Sequence, residues 1–357
     1  MLRIRRSKYS SFRFKKKGKK EKNTTKSIPI KKVNIGIQIL RMLCCLVVIG
    51  IHCYGYPSRI LQEYIYSMFL FFFISFYFSY NTLSSRKSAK IKERIKRIII
   101  PYVGWPLILY AYNNIDNSRK PYDLKTLYYQ ILIGAEIYGI FWFLFNLLLL
   151  TIFFTLMNYI FKKLAIVILF ILCVFVYLFF YSGKTDEQIF NHYKLGIIQH
   201  SIRPLFQKFI FVYTGYLFGS FNLINKLYRI RIISIIISFS VIYIFVNYYD
   251  YIFSKVSSLY KGLVQEIFVI NIFIFFAMLP FDKIDDKYIN IILNTLTNYT
   301  GGIYYLHVMM AHYFQKFIYV GKRIDLEGCI KIYLYCYVVC FIGNIVFKNH
   351  FLKFLFI

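Results

Sequence analysis

The chain has 357 residues, of which 59% are hydrophobic, 21% aromatic and only 17% charged. This composition excludes an ordinary soluble domain, a disordered chain, a fibre and a disulfide-stapled scaffold. If one membrane-spanning helix takes about 21 residues, ten helices use about three fifths of the chain, which matches the apolar fraction. The sequence therefore predicts an all-α polytopic membrane protein.

Charge is strongly unbalanced, with 45 Lys and Arg against 15 Asp and Glu, a net charge of +30. In a soluble protein this excess would favour a nucleic-acid partner. In a membrane protein, basic residues collect in cytoplasmic loops because they resist translocation, and anionic lipid attracts them further. We therefore expect membrane lipid, and no nucleic acid, as a partner.

The seven cysteines lie inside or at the edge of apolar runs, without the spacing of metal ligands. They are expected to pack between helices, and no metal site is predicted. Residues 1–32 carry fourteen Lys and Arg and one Glu, and they contain no apolar core that could act as a signal peptide. We interpret 1–32 as a basic disordered cytoplasmic tail and 33–357 as the membrane-embedded domain.

Ten apolar runs follow the tail, and each is a predicted membrane span. The third is short at about 15 residues, as spans that border an internal cavity can be. The runs cover residues 34–54, 64–83, 98–112, 138–160, 164–182, 204–222, 232–249, 263–280, 298–319 and 329–347.

The basic residues test this topology, because ten spans place both termini on one side. Thirty of the 45 Lys and Arg fall in the tails and loops of the side that holds the termini. Apart from Arg41 inside the first run, the remaining fourteen lie in or near the opposite loops. By the positive-inside rule both termini are cytoplasmic, and the protein is expected to be a multi-pass protein of the cell membrane.

Arg41 and His52 are ionisable residues inside the first predicted span, where a charged group costs a few kcal/mol. They are eleven residues apart, so they share one helix face and lie about 16 Å apart along the axis. Each alone could be a helix-packing residue. Together on one face they favour a passage lined by this helix, in which His52 suits proton transfer near neutral pH.

Arg94 and Arg97 precede the third run in KIKERIKRIIIPY, spaced i, i+3 as neighbours on a helix surface. Two guanidinium groups in this arrangement suit bidentate binding of phosphate. Basic residues also flank most cytoplasmic helix ends, so the pair alone does not decide between these readings.

Three further positions are candidates for support or substrate contact. Glu266 lies near the outer end of the eighth run, at the depth of His52, and could pair with it. His307 lies inside the ninth run, with Thr300 and Tyr304 on about the same helical face. Trp142, at the start of the fourth run, fits an interfacial belt residue as well as a substrate contact.

In this order, these segments resemble the acyltransferase 3 family of bacterial integral membrane proteins over about residues 34–350. The second run departs from the family in carrying Phe76 where a Gly is common. The motifs that carry the resemblance are Arg41 with His52, Arg94–Arg97 before Pro101, Trp142–Leu144, Phe211–Gly219 and Ile303–His307.

The resemblance implies an O-acyltransferase that moves an acyl group, most often acetyl, from cytoplasmic acyl-coenzyme A to a hydroxyl of a cell-surface glycan or lipid-linked sugar. Acyl-coenzyme A would be a co-substrate, with no permanently bound cofactor. Arg41 and His52 would be the essential pair, and Arg94 and Arg97 would hold the coenzyme A phosphates. The alternatives are a transporter that exports a polysaccharide or lipid-linked sugar, since polar helix faces also line pores, and a non-catalytic membrane scaffold.

Overall fold

The computed structural model describes residues 34–53, 67–84, 88–115, 124–133, 141–181, 196–281, 295–319 and 324–356. The predicted tail, residues 1–32, lies outside these ranges, as do several of the loops used in the charge count. Within the described ranges the regular structure is helical throughout, without a strand. The all-α prediction is confirmed.

Twelve α-helices are described, joined in places by short 3-10 turns. They are α1 (Ile35–Cys53), α2 (Ser67–Ser84), α3 (Ser88–Ile115), α4 (Leu124–Ile133), α5 (Phe141–Phe161), α6 (Ala165–Tyr181), α7 (Gly196–Ser220), α8 (Leu223–Leu227), α9 (Arg231–Lys255), α10 (Ser258–Met278), α11 (Thr300–Phe317) and α12 (Leu326–Val346).

Each of the ten predicted apolar runs coincides with one of the long helices, whereas the short helices α4 and α8 were not predicted. The largest difference is at α3, which begins at Ser88, ten residues before its apolar run. The basic segment before Ile98 is rich in good helix formers, so it continues the helix. Arg94 and Arg97 therefore lie on the helix itself, not in a loop before it.

Five helical segments of the described chain are long and apolar enough to cross a membrane. They are Ile35–Cys53, Trp142–Leu178, Leu223–Lys255, Tyr260–Met278 and Leu326–Val346.

The segment Trp142–Leu178 contains 37 residues, which as one helix would measure about 56 Å against a hydrocarbon core of about 30 Å. It is divided by the 3-10 turn Lys162–Leu164, where Lys162 adopts a positive φ of 55°. Because α5 and α6 pack against each other on either side of this turn, they form a helical hairpin.

The closest helix pair is α2 with α7, and two glycines on α7 allow it. A Cβ on Gly215 would overlap the carbonyl oxygen of Phe73, and one on Gly219 would lie 2.7 Å from the carbonyl oxygen of Tyr77. Small residues four apart are a usual device for close approach of helix backbones in membranes. The motif Phe211–Gly219 thus has a packing role.

Buried side chains form two apolar clusters, and α1, α2 and α7 contribute to both. The helix that carries Arg41 and His52 is therefore held from both sides by the core. All seven cysteines are free thiols, and six of them are buried. This confirms the prediction that they pack between helices.

The chain end forms a 3-10 turn, Phe351–Leu355, that packs against α3 and α12. The buried Trp105 Nε1 donates a hydrogen bond of 3.1 Å to the carbonyl oxygen of Leu355. A Cβ on Gly302, near the start of α11, would lie 2.9 Å from the carbonyl oxygen of Phe356. The turn therefore braces α11 two residues from Thr300.

Candidate active site

Arg41 reaches from α1 to the beginning of α11. Its Nη2 donates a hydrogen bond of 2.8 Å to Thr300 Oγ1, and this hydroxyl in turn donates to the carbonyl oxygen of Thr297 at 3.1 Å. Thr300 is 2% exposed, so the guanidinium is anchored against the protein interior and does not turn to the outer surface. Sequence reasoning had placed Thr300 on the face of His307, but nothing in the sequence paired it with Arg41.

His52 lies at the other end of α1, next to His307 of α11. The two imidazole rings are 5.1 Å apart between centroids and inclined by 50°. His52 is exposed at the helix end, whereas His307 is fully buried. Neither ring nitrogen of His307 has a hydrogen bond of good geometry among the described residues, and its polar neighbours are the backbone groups of Ile303 and Tyr304, one turn earlier.

The two contacts fix the direction of the helices. Arg41 meets Thr300, and His52 meets His307, so α1 and α11 run the same way along the chain. Both candidate residues of α1 therefore face α11, as their spacing on one helix face predicted. Between the two contacts, the interface is filled by the buried side chains Cys45, Val48 and Tyr304.

The predicted phosphate-binding pair is divided between two environments. Arg94 Nη2 donates a hydrogen bond of 3.2 Å to Ser75 Oγ of α2, and its guanidinium lies 5.5 Å from the ring centre of Phe76. Arg97 makes an exposed ion pair of 3.3 Å with Glu93, one turn earlier on α3. Arg94 is thus tied to the neighbouring helix, partly through the Phe76 that departs from the family pattern, and Arg97 stays at the surface.

Glu266 is buried on α10, with 5% of its surface exposed. Its neighbours include the Thr214 hydroxyl of α7 and the Cys173 thiol of α6. Neither carboxylate oxygen has a hydrogen bond of good geometry among the described residues. The ring found beside His52 is that of His307, so the suggested pairing of Glu266 with His52 has no contact to support it.

Trp142, at the start of α5, lies beside a cation inside the sixth predicted span. The Lys208 ammonium of α7 is 6.0 Å from the Trp142 ring centre and 4.1 Å from that of Phe69. These distances fit cation–π contacts. The sequence feature that could have identified Lys208 is a Lys inside an apolar run, just as Arg41 is an Arg inside one.

Aromatic rings connect Trp142 to the histidine pair. Trp142 contacts Phe143 at 6.4 Å, Phe143 contacts Tyr304 at 5.3 Å, and Tyr304 contacts His307 at 5.8 Å, all between ring centres. Helices α5 and α11 therefore meet beside the two imidazoles. The arrangement offers an imidazole at an exposed end, a second imidazole behind it, and aromatic surface leading to a cation.

The profile of the acyltransferase 3 family, described as an acyltransferase domain, matches residues 34–348, which is nearly all of the described chain. No match was found among curated proteins or among solved structures. The chain therefore belongs to the acyltransferase 3 family and is a membrane acyltransferase.

Proposed function

We propose that this protein transfers an acyl group, preferably acetyl, from acyl-coenzyme A to a hydroxyl of a glycan or lipid-linked saccharide. The observation that carries the proposal is the contact of His52 with His307 at one end of α1, while Arg41 is anchored at the other end. Membership of an acyltransferase family supports the reaction class. The donor, the acetyl group and the acceptor are part of the proposal and follow from the resemblance to this family.

In the proposed reaction, His52 acts as the general base. It takes the proton of the acceptor hydroxyl as that oxygen attacks the thioester carbonyl. The tetrahedral intermediate then expels the coenzyme A thiolate, which receives the proton from the His52 imidazolium. The products are the ester and the free thiol, so protons and charge balance.

His307 would act through His52 as a positioning residue. A fully buried imidazole has a fixed place, and its ring lies against that of His52 at 5.1 Å. Packing of this kind restricts the orientation of the exposed ring, which general-base catalysis requires. No metal or bound cofactor enters the proposed reaction.

Arg41 would stabilise negative charge on the thioester oxygen or hold the pantetheine arm. It is about 16 Å from His52 along the helix, so one extended donor must bridge both residues or a covalent acyl intermediate must carry the group between them. Cys45, Val48 and Tyr304, which belong to the same buried cluster, lie on the facing surfaces of α1 and α11 between these two ends.

Arg94 and Arg97 would bind the donor phosphates at the basic end of α3. Arg97 is the more accessible of the two, whereas Arg94 also holds α3 against α2. We therefore assign the direct phosphate contact chiefly to Arg97 and give Arg94 a second, structural role.

The proposal includes a ten-span topology in the cell membrane, with both termini in the cytoplasm. Three observations support it. A long helix coincides with each apolar run. The longest apolar segment reverses at Lys162. Helices α1 and α11, the first and ninth spans, run in the same direction, as two odd-numbered spans must.

The test is transfer of labelled acetyl from acetyl-coenzyme A in membranes that contain the full-length protein. His52→Ala should lower the rate of acetyl transfer about 10²- to 10⁴-fold at unchanged expression, because this is the usual contribution of a general base. His312→Ala, on the other side of α11 from His307, is the matched control and should retain activity. Activity retained in His52→Ala would remove this residue from the mechanism.

A further inference from the structure

Five of the seven cysteines lie along the interface between α1 and α12, two helices that pack against each other. Cys45 and Cys53 belong to α1, whereas Cys329, Cys336 and Cys340 belong to α12. The neighbours of Cys45 include Cys340, and those of Cys53 include Cys329 and Cys336. An early residue of α1 thus meets a late residue of α12, so the two helices run in opposite directions.

Cys53 and Cys329 are in contact at one end of this interface. Their thiols lie within hydrogen-bonding range of each other. Cys53 is the last residue of α1, and Cys329 lies in the first turn of α12. A disulfide bond needs Cβ atoms about 3.5–4.5 Å apart, so only cysteines in side-chain contact can form one without movement of the backbone. This pair meets the requirement of contact.

The start of α12 holds Cys329 in place through contacts outside the pair. Asp325 Oδ1 accepts a hydrogen bond of 2.8 Å from the backbone N–H of Gly328 and so caps the helix. A Cβ on Gly328 would lie 2.5 Å from Ile324 Cγ2 and 3.0 Å from the Tyr319 hydroxyl. Cys329 follows directly and is 1% exposed. Its thiol therefore has a fixed position beside Cys53.

Access from water distinguishes Cys53 from the other cysteines. All seven lie in the described part of the chain, and Cys53 is the one that is partly exposed, since the other six are buried. Oxidation of a thiol depends on its access to the oxidant. An oxidant dissolved in water therefore reacts first with Cys53, and Cys329 is placed to complete a bond with it.

In the proposed topology both residues lie on the outer side of the membrane. The first span leaves the cytoplasm and the tenth returns to it, so the end of α1 and the start of α12 share the outer face. Their antiparallel packing agrees with this. Disulfide bonds form and persist in oxidising surroundings outside the cytoplasm. The outer location rests on the topology given with the proposed function, whereas the contact of the two thiols does not.

We propose that Cys53 and Cys329 form a disulfide bond on the outer side of the membrane. The oxidant is a protein or small-molecule disulfide. The Cys53 thiolate attacks one of its sulfur atoms and displaces a thiolate, and the Cys329 thiolate then attacks the Cys53 sulfur and displaces the second thiolate. The two cysteines lose two electrons and two protons, and the oxidant leaves as two thiols.

The bond fastens the end of α1 that carries His52. His52 precedes Cys53 and contacts His307 of α11, and α11 packs against α12. A cross-link between residues far apart in the chain restricts the unfolded state strongly and so stabilises the folded one. The oxidised protein should therefore unfold at a higher temperature than the reduced protein.

The test is thiol trapping on the full-length protein in membranes treated with glutathione disulfide. Free thiols are blocked with N-ethylmaleimide in denaturant, disulfides are reduced, and the new thiols are labelled with a polyethylene glycol maleimide that retards the chain on a gel. Cys53→Ala and Cys329→Ala remove the pair. Cys173→Ala, at a buried cysteine of α6, is the matched control, and Cys336→Ala tests the other thiol near Cys53.

We expect two labels in the unchanged protein, in Cys173→Ala and in Cys336→Ala, and none in Cys53→Ala or Cys329→Ala. No label in the unchanged protein, or two labels in Cys53→Ala, would overturn the proposal. So would loss of the labels in Cys336→Ala while Cys329→Ala keeps them.

Mass spectrometry of the unchanged protein gives an answer that does not depend on the folding of any variant. A tryptic digest without reductant should contain residues 42–59 joined to residues 324–331, with a mass two hydrogens below the sum of the separate peptides. Fragmentation should place the bond at Cys53. Absence of the joined peptides, or a bond at Cys44 or Cys45, would contradict the proposal.

Thermal unfolding in detergent tests the stabilising role. Reductant should lower the midpoint of the unchanged protein and leave that of Cys53→Ala as it is, and equal lowering in both would contradict this role. The outer location is tested in intact cells, where a membrane-impermeant maleimide should label Cys329→Ala, in which Cys53 has no disulfide partner. The variant without both cysteines gives the background, and labelling no greater than this background would contradict the outer location.

These measurements do not depend on acyl transfer. The disulfide bond in a protein that transfers no acetyl group would contradict the proposed function and leave this inference standing. Acetyl transfer by a protein that gains no label after reduction would contradict this inference and leave the proposed function standing.

Discussion

The imidazole rings of His52 and His307 lie 5.1 Å apart, although one residue comes from the first helix of the chain and the other from near its end. The exposed ring has a fully buried ring behind it. In the proposed reaction the two histidines therefore have different roles. His52 contacts the substrate, and His307 positions the His52 ring.

His307→Gln should therefore lower kcat for acetyl transfer and leave KM for acetyl-coenzyme A nearly unchanged. A positioning residue contributes less than the base itself. We therefore expect kcat to fall about 10- to 10²-fold in His307→Gln, against about 10²- to 10⁴-fold in His52→Ala. Steady-state kinetics with both substrates would measure the split. The double variant should be no slower than His52→Ala, and a further large decrease in it would contradict the shared role.

The guanidinium of Arg41 should not be replaceable by an ammonium. Arg41→Lys keeps the charge but loses the planar fork, so we expect a strong loss of acetyl transfer with normal folding. Thr300→Val removes only the hydroxyl that accepts from Arg41 and should cost about 1 kcal/mol of stability. If Arg41→Lys transfers acetyl at the normal rate, Arg41 has only a packing role.

Charge reversal at Arg97 should raise KM for acetyl-coenzyme A. Because Arg97 is exposed and paired only with its helix neighbour Glu93 among the contacts described here, Arg97→Glu should fold normally. Lys92→Glu, an exposed residue of the same basic segment, is the matched control for general charge effects. Arg94→Glu should also lower thermal stability, since Arg94 binds Ser75.

These variants also separate an enzyme from an exporter. An exporter of a polysaccharide or lipid-linked sugar needs no thioester donor, so export in intact cells would be unaffected by Arg97→Glu. Unchanged export, together with the absence of acetyl transfer in the unmodified protein, would favour the transporter.

Gly215→Leu should disrupt the packing of α2 on α7. A side chain there meets backbone, not a movable side chain, because a Cβ already overlaps the Phe73 carbonyl oxygen. Overpacking of this kind costs about 1–3 kcal/mol or more. Thermal unfolding in detergent would show a lower midpoint, whereas Ser220→Ala, at the end of the same helix, should leave it nearly unchanged.

Trp105→Phe should loosen the C-terminal turn. It removes the hydrogen bond to Leu355, worth about 1 kcal/mol, and keeps a smaller aromatic ring in place of the indole. Hydrogen exchange of residues 351–355 should become faster, while Trp142→Phe should not change it. Equal exchange in both variants would show that the adjoining Phe356, which packs against Gly302 of α11 and Gly343 of α12, holds the turn without the hydrogen bond.

Hydropathy and helix periodicity are local properties, so they could be taken directly from the chain. They located a helix at every apolar run and placed Arg41 and His52 on one face, because a fixed rise and rotation per residue relate positions within one helix. They also identified an i, i+3 pair at Arg94 and Arg97. Only the start of α3 at Ser88, before its apolar run, was not located, because charged residues do not register in an apolar count.

Partners from different helices could not be derived in this way, because the contacts depend on how helices rotate and pack. The suggested support of His52 by Glu266 rested on equal depth, and depth does not specify which way a side chain faces. Helix α10 packs against α1, but the neighbours of Glu266 are Thr214 of α7 and Cys173 of α6. Lys208 lies near the outer end of the sixth predicted span and was counted in or near an outer loop, but the rings of Phe69 and Trp142, on two other helices, lie beside it.

The amino-acid sequence by itself determined that this is a helical membrane protein and which residues of α1 share a face, since both follow from short-range regularity. Only the tertiary structure decided that His307 lies behind His52, that Thr300 holds Arg41, and that Trp142 lies beside Lys208. Those relationships arise where side chains from distant segments pack, and packing is fixed by the whole set of helices together.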